Sequence, residues 1–259
     1  MALNDQGAVS EQYRTADKLG IRISLHRRYS TNRQGFGSWI VSHYRIENGM
    51  SVLELGCGTG DMWAGQDELI GRCGRLILSD LSEGMLAQAK KTLENQKGVA
   101  YRTVDIQSIP YADASFDIVI ANMMLYHVPD RRKALAEVRR VLRNNGTFYC
   151  ATYGENGMME YLCGLFEHCG VKNHPNRQFT LQNGEAQLSP FFSDIRRYDY
   201  PDALEVTDPE DMADYIGSLT GMTGLRQLPR ETLLSVLRAH MTDGALRVPK
   251  EYGMFVARP

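Results

Sequence analysis

The run Val52-Leu53-Glu54-Leu55-Gly56-Cys57-Gly58-Thr59-Gly60 constrains this chain more than any other stretch of its length. A short apolar strand leads into three alternating glycines. Such a turn can take positive φ and let a ligand approach the backbone closely. A helix beginning just beyond it would offer unbonded N–H groups to an anion. The spacing is G-x-G-x-G, not the G-x-G-x-x-G of dinucleotide folds, because position 61 is Asp. No G-K-[ST] ending follows, which removes a P-loop. Glu54, Asp61 and Asp80 would all lie near this turn, a poor setting for a pyrophosphate. A ligand with positive or zwitterionic character suits it better, and a sulfonium bearing an α-amino acid tail meets that description.

Around the turn, apolar runs alternate with amphipathic ones. Ser51–Leu55, Arg75–Leu78, Val99–Val104, Phe116–Ala121 and Gly146–Thr152 read as strands without polar alternation, the pattern of a sheet covered on both faces. Between them Ser82 is positioned as an N-cap for a helix with Met85, Leu86, Ala89 and Leu93 on one face. A second helix from Asp130 carries Leu135, Val138 and Leu142 and is expected to stop at Asn144-Asn145-Gly146, with Arg139, Arg140 and Arg143 near its negative pole. Beyond Tyr153 the spacing predicts helices over Met158–Cys169, Thr180–Phe191, Pro209–Leu219 and Pro229–Met241, and strands over Asp194–Tyr200 and Tyr252–Ala257. The expected fold is α/β: a doubly wound, Rossmann-like, mostly parallel sheet of seven strands with right-handed crossovers and helical lid elements. Residues 1–45 are expected to form a helical cap segment. Residues 46–259 are expected to form one domain with helical insertions after residue 154.

Composition sets outer limits. With 43% hydrophobic and 23% charged residues, the chain is not a disordered one. Lys+Arg number 29 against 31 Asp+Glu, which argues against a dedicated nucleic-acid binder. No apolar run reaches the roughly 20 residues that cross a bilayer. Met1–Gln12 is polar and lacks the apolar core of a secretory signal. Five cysteines, an odd number, read as reduced thiols. A cytoplasmic protein with no membrane partner is expected.

Asp80 ends the second strand about twenty residues after the glycine turn, where a carboxylate can chelate ribose hydroxyls. Asp105, after the third strand, could accept from an exocyclic adenine amine, with Ile106 on the ring and Leu81 and Met85 on its other face. Met85 could equally be core. Together, Val52–Gly60, Asp80-Leu81-Ser82 with Met85, Asp105 through Ile109-Pro110 to Ser115-Phe116-Asp117, Leu125–Asp130 and Leu142–Gly146 resemble the successive motifs of the class I S-adenosylmethionine-dependent methyltransferases. The resemblance spans roughly Val52 to Tyr153. It implies that Gly56, Cys57, Gly58 and Gly60 cradle the methionine portion of S-adenosyl-L-methionine, with Glu54 supporting the loop. It also implies that Asp80 binds the ribose, that Asp105 and Ile106 hold the adenine, and that Asn122 lies beside the transferred methyl. Two departures bear on the acceptor. Asn122-Met123-Met124-Leu125 is not the N/D-P-P-Y/F signature of amino-methylating nucleic-acid and glutamine enzymes, and no Pro-Cys nucleophile of the cytosine C5 methyltransferases is present. Both favour a small-molecule acceptor.

On the acceptor side, His127 is the leading candidate base, with Tyr126 beside it, and Tyr153 could line the same pocket. The segment Leu19–Ser30 resembles the helix that small-molecule methyltransferases fold over the cofactor. In that reading Tyr29 bonds the cofactor carboxylate and His26 or Arg28 faces substrate, which would favour an anionic acceptor. Arg27-Arg28 can also be a solvated helical face. Cys163, His168, Cys169 and His174 lack metal-ligand spacing, so no metal is expected. Arg131-Arg132-Lys133 reads as an exposed helix start. The expected activity is SN2 methyl transfer to an O, N or activated C of a small molecule, yielding S-adenosyl-L-homocysteine, by a monomer or homodimer. The alternatives are tRNA or rRNA methylation and a cofactor-binding regulatory or assembly protein without turnover.

Overall fold

The uninterrupted aliphatic runs form the middle of a sheet, as their lack of alternation requires. The structure is a computed structural model and describes residues 16–171, 175–219 and 223–259. Its strands are β1 (Met50–Leu55), β2 (Cys73–Asp80), β3 (Val99–Thr103), β4 (Phe116–Ile120), β5 (Leu142–Tyr153), β6 (Asp194–Val206) and β7 (Leu246–Arg258). They make one seven-stranded sheet in the order β3-β2-β1-β4-β5-β7-β6. The first five pair in parallel, with Leu53 opposite both Ile77 and Val119. β7 runs antiparallel between β5 and β6. The order reverses between β1 and β4, and open α/β sheets bind ligands outside the carboxyl ends of the strands at such a point.

The helices are α1 (Ala16–Tyr29), α2 (Phe36–Ser42), α3 (Asp67–Arg72), α4 (Glu83–Thr92), α5 (Arg131–Val141), α6 (Met158–Leu165), α7 (Gly184–Leu188), α8 (Pro209–Ser218), α9 (Thr223–Gln227) and α10 (Arg230–Ala239). Ser82 and Asp130 are N-caps: Ser82 Oγ accepts from Met85 N at 3.3 Å and Asp130 Oδ1 from Lys133 N at 2.9 Å. Two apolar layers cover the sheet. One joins Leu53, Val119 and Phe148 to α5, and the other joins Val52, Leu76 and Ile118 to Trp63 and α4. A third cluster lies under α1, α6, α8 and α10.

Several expected boundaries move. α5 ends at Val141, not at Asn144–Gly146, because Leu142 turns extended at φ −80° and ψ 135°. Gly146 is a strand residue: a Cβ there would sit 2.8 Å from both Asp117 O and the Leu142 side chain. Arg143 accordingly leaves the helix and pairs with Asp117 at 2.5 Å. The helix expected over Thr180–Phe191 contracts to Gly184–Leu188, and that over Met158–Cys169 divides into α6 and a 3₁₀ turn, Glu167–Cys169. β6 and β7 extend further than their apolar centres, each to 13 residues. β6 is an edge strand, which is why it tolerates Pro201. In the expected cap, α1 packs on α8 and β6, while residues 1–15 lie outside the described residues.

Candidate active site

A cavity of about 980 Å³ opens at the carboxyl ends of β1, β2 and β4 and is roofed by α1 and α2. Its size is at the upper end of the roughly 300–1,000 Å³ typical of ligand pockets. Its two ends differ in charge.

The glycine turn forms the first end. Gly56, Gly58 and Gly60 have φ of 72°, 56° and 76°, all left-handed. A Cβ on Gly56 would come within 3.0 Å of the Met124 side chain, and one on Gly60 within 3.2 Å of Ala89. Gly60 therefore lets the turn rest on α4 and does not border the cavity itself. Gly58 N–H donates to Asp80 at 3.0 Å and Ser82 N–H donates to the same carboxylate at 2.9 Å. Burial nonetheless holds the Asp80 pKa above the ordinary carboxylate range. Glu54 is buried and accepts from Trp63 Nε1 at 2.6 Å. Burial, with repulsion from Asp80, pushes its carboxyl up to about 7. Burial also pushes the Cys57 thiol well up, so it is an inert wall residue.

Asp105 forms an Asx turn, accepting from Gln107 N at 2.8 Å. Ile106 and Met85 are buried beside it, while Leu81 stands 48% exposed at the rim. Asn122, just past β4, gives Nδ2–H to the Tyr44 hydroxyl at 2.6 Å and takes Ala151 N–H at 3.1 Å. Both ends of its amide are thereby fixed. Met123 follows with φ 53°, a conformation costly for a bulky side chain. It turns the chain so that Asn122, Met124 and His127 all reach the cavity.

At the second end stand His26, Arg27, Ser30, Arg33, Lys250 and Tyr252. Lys250 is buried in an ion pair with buried Asp202. Asp202 also accepts from the Ser30 hydroxyl, from Thr31 Oγ1 at 3.1 Å and from Asn32 N at 2.9 Å. Burial opposes both charges. At Asp202 the donated hydrogen bonds outweigh it and the carboxyl sits below its usual range, whereas at Lys250 burial prevails and eases loss of the proton. The His26 ring lies 5.9 Å from those of Tyr215 and Tyr252. Burial, and then the nearby Lys250 charge, lowers its pKa to about 3. For His127, burial and then Arg22 lower it to about 4. Both imidazoles are neutral at ordinary pH.

Of the expected site residues, Glu54, Gly56, Cys57, Gly58, Asp80, Leu81, Met85, Asp105, Ile106, Asn122, His127 and His26 come together on this wall. Four do not. The Tyr29 hydroxyl is donated to Asp211 on α8, because Tyr29 lies on the face of α1 that packs there with Leu25. Arg28 pairs with the same carboxylate at 2.6 Å. Tyr126 stacks behind His127 at 4.5 Å and against Tyr153 at 4.7 Å. The Tyr153 hydroxyl donates to Asn176 O at 2.7 Å. Sequence reasoning missed Lys250, Asp202, Tyr252 and Tyr44. His174 lies outside the described residues, and among the described residues no cluster of metal-binding side chains occurs. No described helix is long and apolar enough to cross a membrane.

The wall suits S-adenosylmethionine. The glycine turn leaves room beside the backbone, carboxylates gather at that end, and Ile106, Met85 and Leu81 provide apolar faces for a ring.

Residues 53–150 match the family described as "Methyltransferase domain". The ubiquinone/menaquinone biosynthesis C-methyltransferase UbiE of Klebsiella pneumoniae is 35% identical over 104 residues, 39% of this chain and 41% of that one. The Escherichia coli protein of the same description is 34% identical over an equal span. The chain thus spans about two fifths of the length of these curated relatives. Among solved structures, the YcgJ protein of Bacillus subtilis superposes with a TM-score of 0.60 at 17% identity, over 86% of this chain and 98% of its own. A phosphoethanolamine N-methyltransferase 2 of Haemonchus contortus, solved with phosphomonomethylethanolamine and S-adenosylhomocysteine, gives 0.60 at 17% over all of this chain and 60% of its own. The [4+2]-cyclase SpnF gives 0.56 at 16%, over 89% and 86%. At such identities these structures speak to the fold alone. The match over residues 53–150, the ordered motifs from Val52 to Tyr153 and the 3-2-1-4-5-7-6 sheet together support a class I S-adenosylmethionine-dependent methyltransferase domain in this chain.

Proposed function

We propose that this protein transfers a methyl group from S-adenosylmethionine to a small-molecule acceptor. The observation that carries the reading is a single continuous cavity. It runs from the acidic, apolar-walled glycine turn, past Asn122 and His127, to a polar chamber under α1 and β7. When bound, the cofactor would supply an electrophilic methyl whose C–S bond electrons leave with sulfur as a new bond to the acceptor forms, giving S-adenosylhomocysteine. The chain's own part is chiefly positioning. Asp80 and Asp105 would receive hydroxyl and amine hydrogens of the adenosine. Asn122, locked by Tyr44 and the Ala151 N–H, borders the cavity in a fixed orientation. His127 is neutral and can take the proton an O- or N-nucleophile must lose. Tyr126, packed against it at 4.5 Å, holds the ring, and α1 with α2 roofs the cavity.

A protein that binds the cofactor without transferring methyl is the second reading, since the fold alone does not fix the chemistry. Binding of S-adenosylhomocysteine by calorimetry, followed by turnover of methyl-labelled cofactor against a metabolite panel, separates the two. Asp80→Ala should weaken binding at least tenfold, since it removes the acceptor for ribose hydroxyls. Unchanged affinity would sink the cofactor assignment. Binding without label transfer to any panel member would favour the second reading.

A further inference from the structure

We propose that the acceptor carries an anionic group, a carboxylate or a phosphate, and that Arg27 and Arg33 hold it. The inference rests on the methyl-transfer reading and names the substrate class for the same cavity.

Four carboxylates of the wall, Glu54, Asp61, Asp80 and Asp105, belong to the glycine-turn end, and the cations of the wall, Arg27, Arg33 and Lys250, belong to the other. Lys250 is already neutralised by Asp202, and Arg28, just outside the cavity, is held by Asp211. Arg27 and Arg33 differ: among the described residues neither has a carboxylate within ion-pair distance, although both border the cavity. His26 is held neutral and adds no charge there.

The two arginines are mounted on a fixed base. The stretch between them is tied to the β6–β7 hairpin by Thr31 N–H to Ala203 O at 2.9 Å and by a bridge between Ser30 and Leu204. Ser30, Thr31 and Asn32 all donate to Asp202. Gly35, at φ 77°, then turns the chain into α2. Guanidinium groups carried on so rigid a base lose less freedom on binding than arginines on a free loop. Their planar forks match carboxylate and phosphate oxygens. An acceptor anchored there lies across the cavity, with its remaining atoms pointing toward His127 and Asn122.

The test uses the full chain saturated with S-adenosylhomocysteine, titrated with inorganic phosphate and separately with succinate, and followed by calorimetry. At least one anion should bind, and the tighter of the two distinguishes a phosphate from a carboxylate acceptor. The double variant Arg27→Gln/Arg33→Gln should weaken that anion at least tenfold and leave S-adenosylhomocysteine within about twofold. Arg132→Gln, at the exposed start of α5, should change neither. Absence of anion binding, or an undiminished affinity in a double variant whose circular-dichroism melt is native, would overturn the proposal. So would an equal loss of S-adenosylhomocysteine affinity, because the arginines would then serve the cofactor's own carboxylate. Displacement of phosphate by an oligoribonucleotide with steep salt dependence would overturn it in favour of nucleic acid. Failure of the wild type to bind S-adenosylhomocysteine would count against the methyl-transfer reading itself.

Discussion

Glu54→Gln should change how stability depends on pH, by an amount the structure sets. Glu54 is 2% exposed on β1, and its carboxyl is pushed from 4.5 to about 7, chiefly by burial. Between those two values the native protein keeps a proton that the unfolded chain has released. Stability therefore falls as pH rises across that window. The Glu54 contribution is complete below pH 4.5 and exhausted above about 7. One proton corresponds to about 1.4 kcal/mol per pH unit, so the whole window is worth about 3 kcal/mol. Gln cannot titrate, yet its amide oxygen can still accept the Trp63 Nε1–H bond. His26 and His127 act with the opposite sign: with folded pKa values of about 3 and 4 they stay neutral while the unfolded histidines, at 6.5, take up protons. Their contribution is lost as pH falls below 6.5, but it is common to both proteins and cancels in the comparison. Urea unfolding followed by tryptophan fluorescence from pH 4.5 to 7.5 measures the difference directly, since Trp63 and Trp39 are both buried. The variant should gain on the wild type by about 3 kcal/mol across the window and by nothing further above it. Parallel curves would show that Glu54 ionises normally, and the buried acidic end would need another account.

Lys250→Met leaves Asp202 charged and buried, and removing one partner of a buried pair costs about 3–5 kcal/mol. The melting temperature should drop by about 10 °C, with Asp202→Leu added to Lys250→Met restoring part of it; a drop under 3 °C would mean that water replaces the pair. The Cε1–H resonance of His127 should titrate with a midpoint near 4, and a midpoint near 6.5 in proton NMR would contradict its burial.

How far these residues could be read from sequence depended on how local their partners are. β1 to β5 were legible because strands covered on both faces must be apolar throughout, and Ser82 and Asp130 because a cap bonds a backbone N–H only three residues on. Lys250 and Asp202 were not, since nothing near either residue signals the other. They meet only through the antiparallel register of β6 and β7, which pairs Asp202 with Lys250. The ends of α5 and β5 were misread for a similar reason: Gly146 looks like a helix stop, but it answers to Asp117 O on the neighbouring strand.

The errors on α1 were avoidable, and they bear on the acceptor. At 3.6 residues per turn, Leu25 and Tyr29 share one face, while Ile23, His26, Arg27 and Ser30 fall on another. Leu25 and Tyr29 are both buried against α8, and the second set lines the cavity. A leucine four residues before a tyrosine marks a packing stripe, so Tyr29 belonged to the core and not to the ligand. The same helical geometry carries Arg28 round to Asp211 on α8 and leaves Arg27 facing the chamber. Charge at the acceptor end is therefore set by which of two adjacent arginines the helix turns inward, a matter of phase along α1 that composition cannot express. A single-residue insertion in α1 between Leu25 and Arg27 would rotate that phase by about 100°. It should carry Arg27 round to the Arg28 position, leave no arginine of α1 facing the chamber, and weaken anion binding while sparing the glycine-turn end.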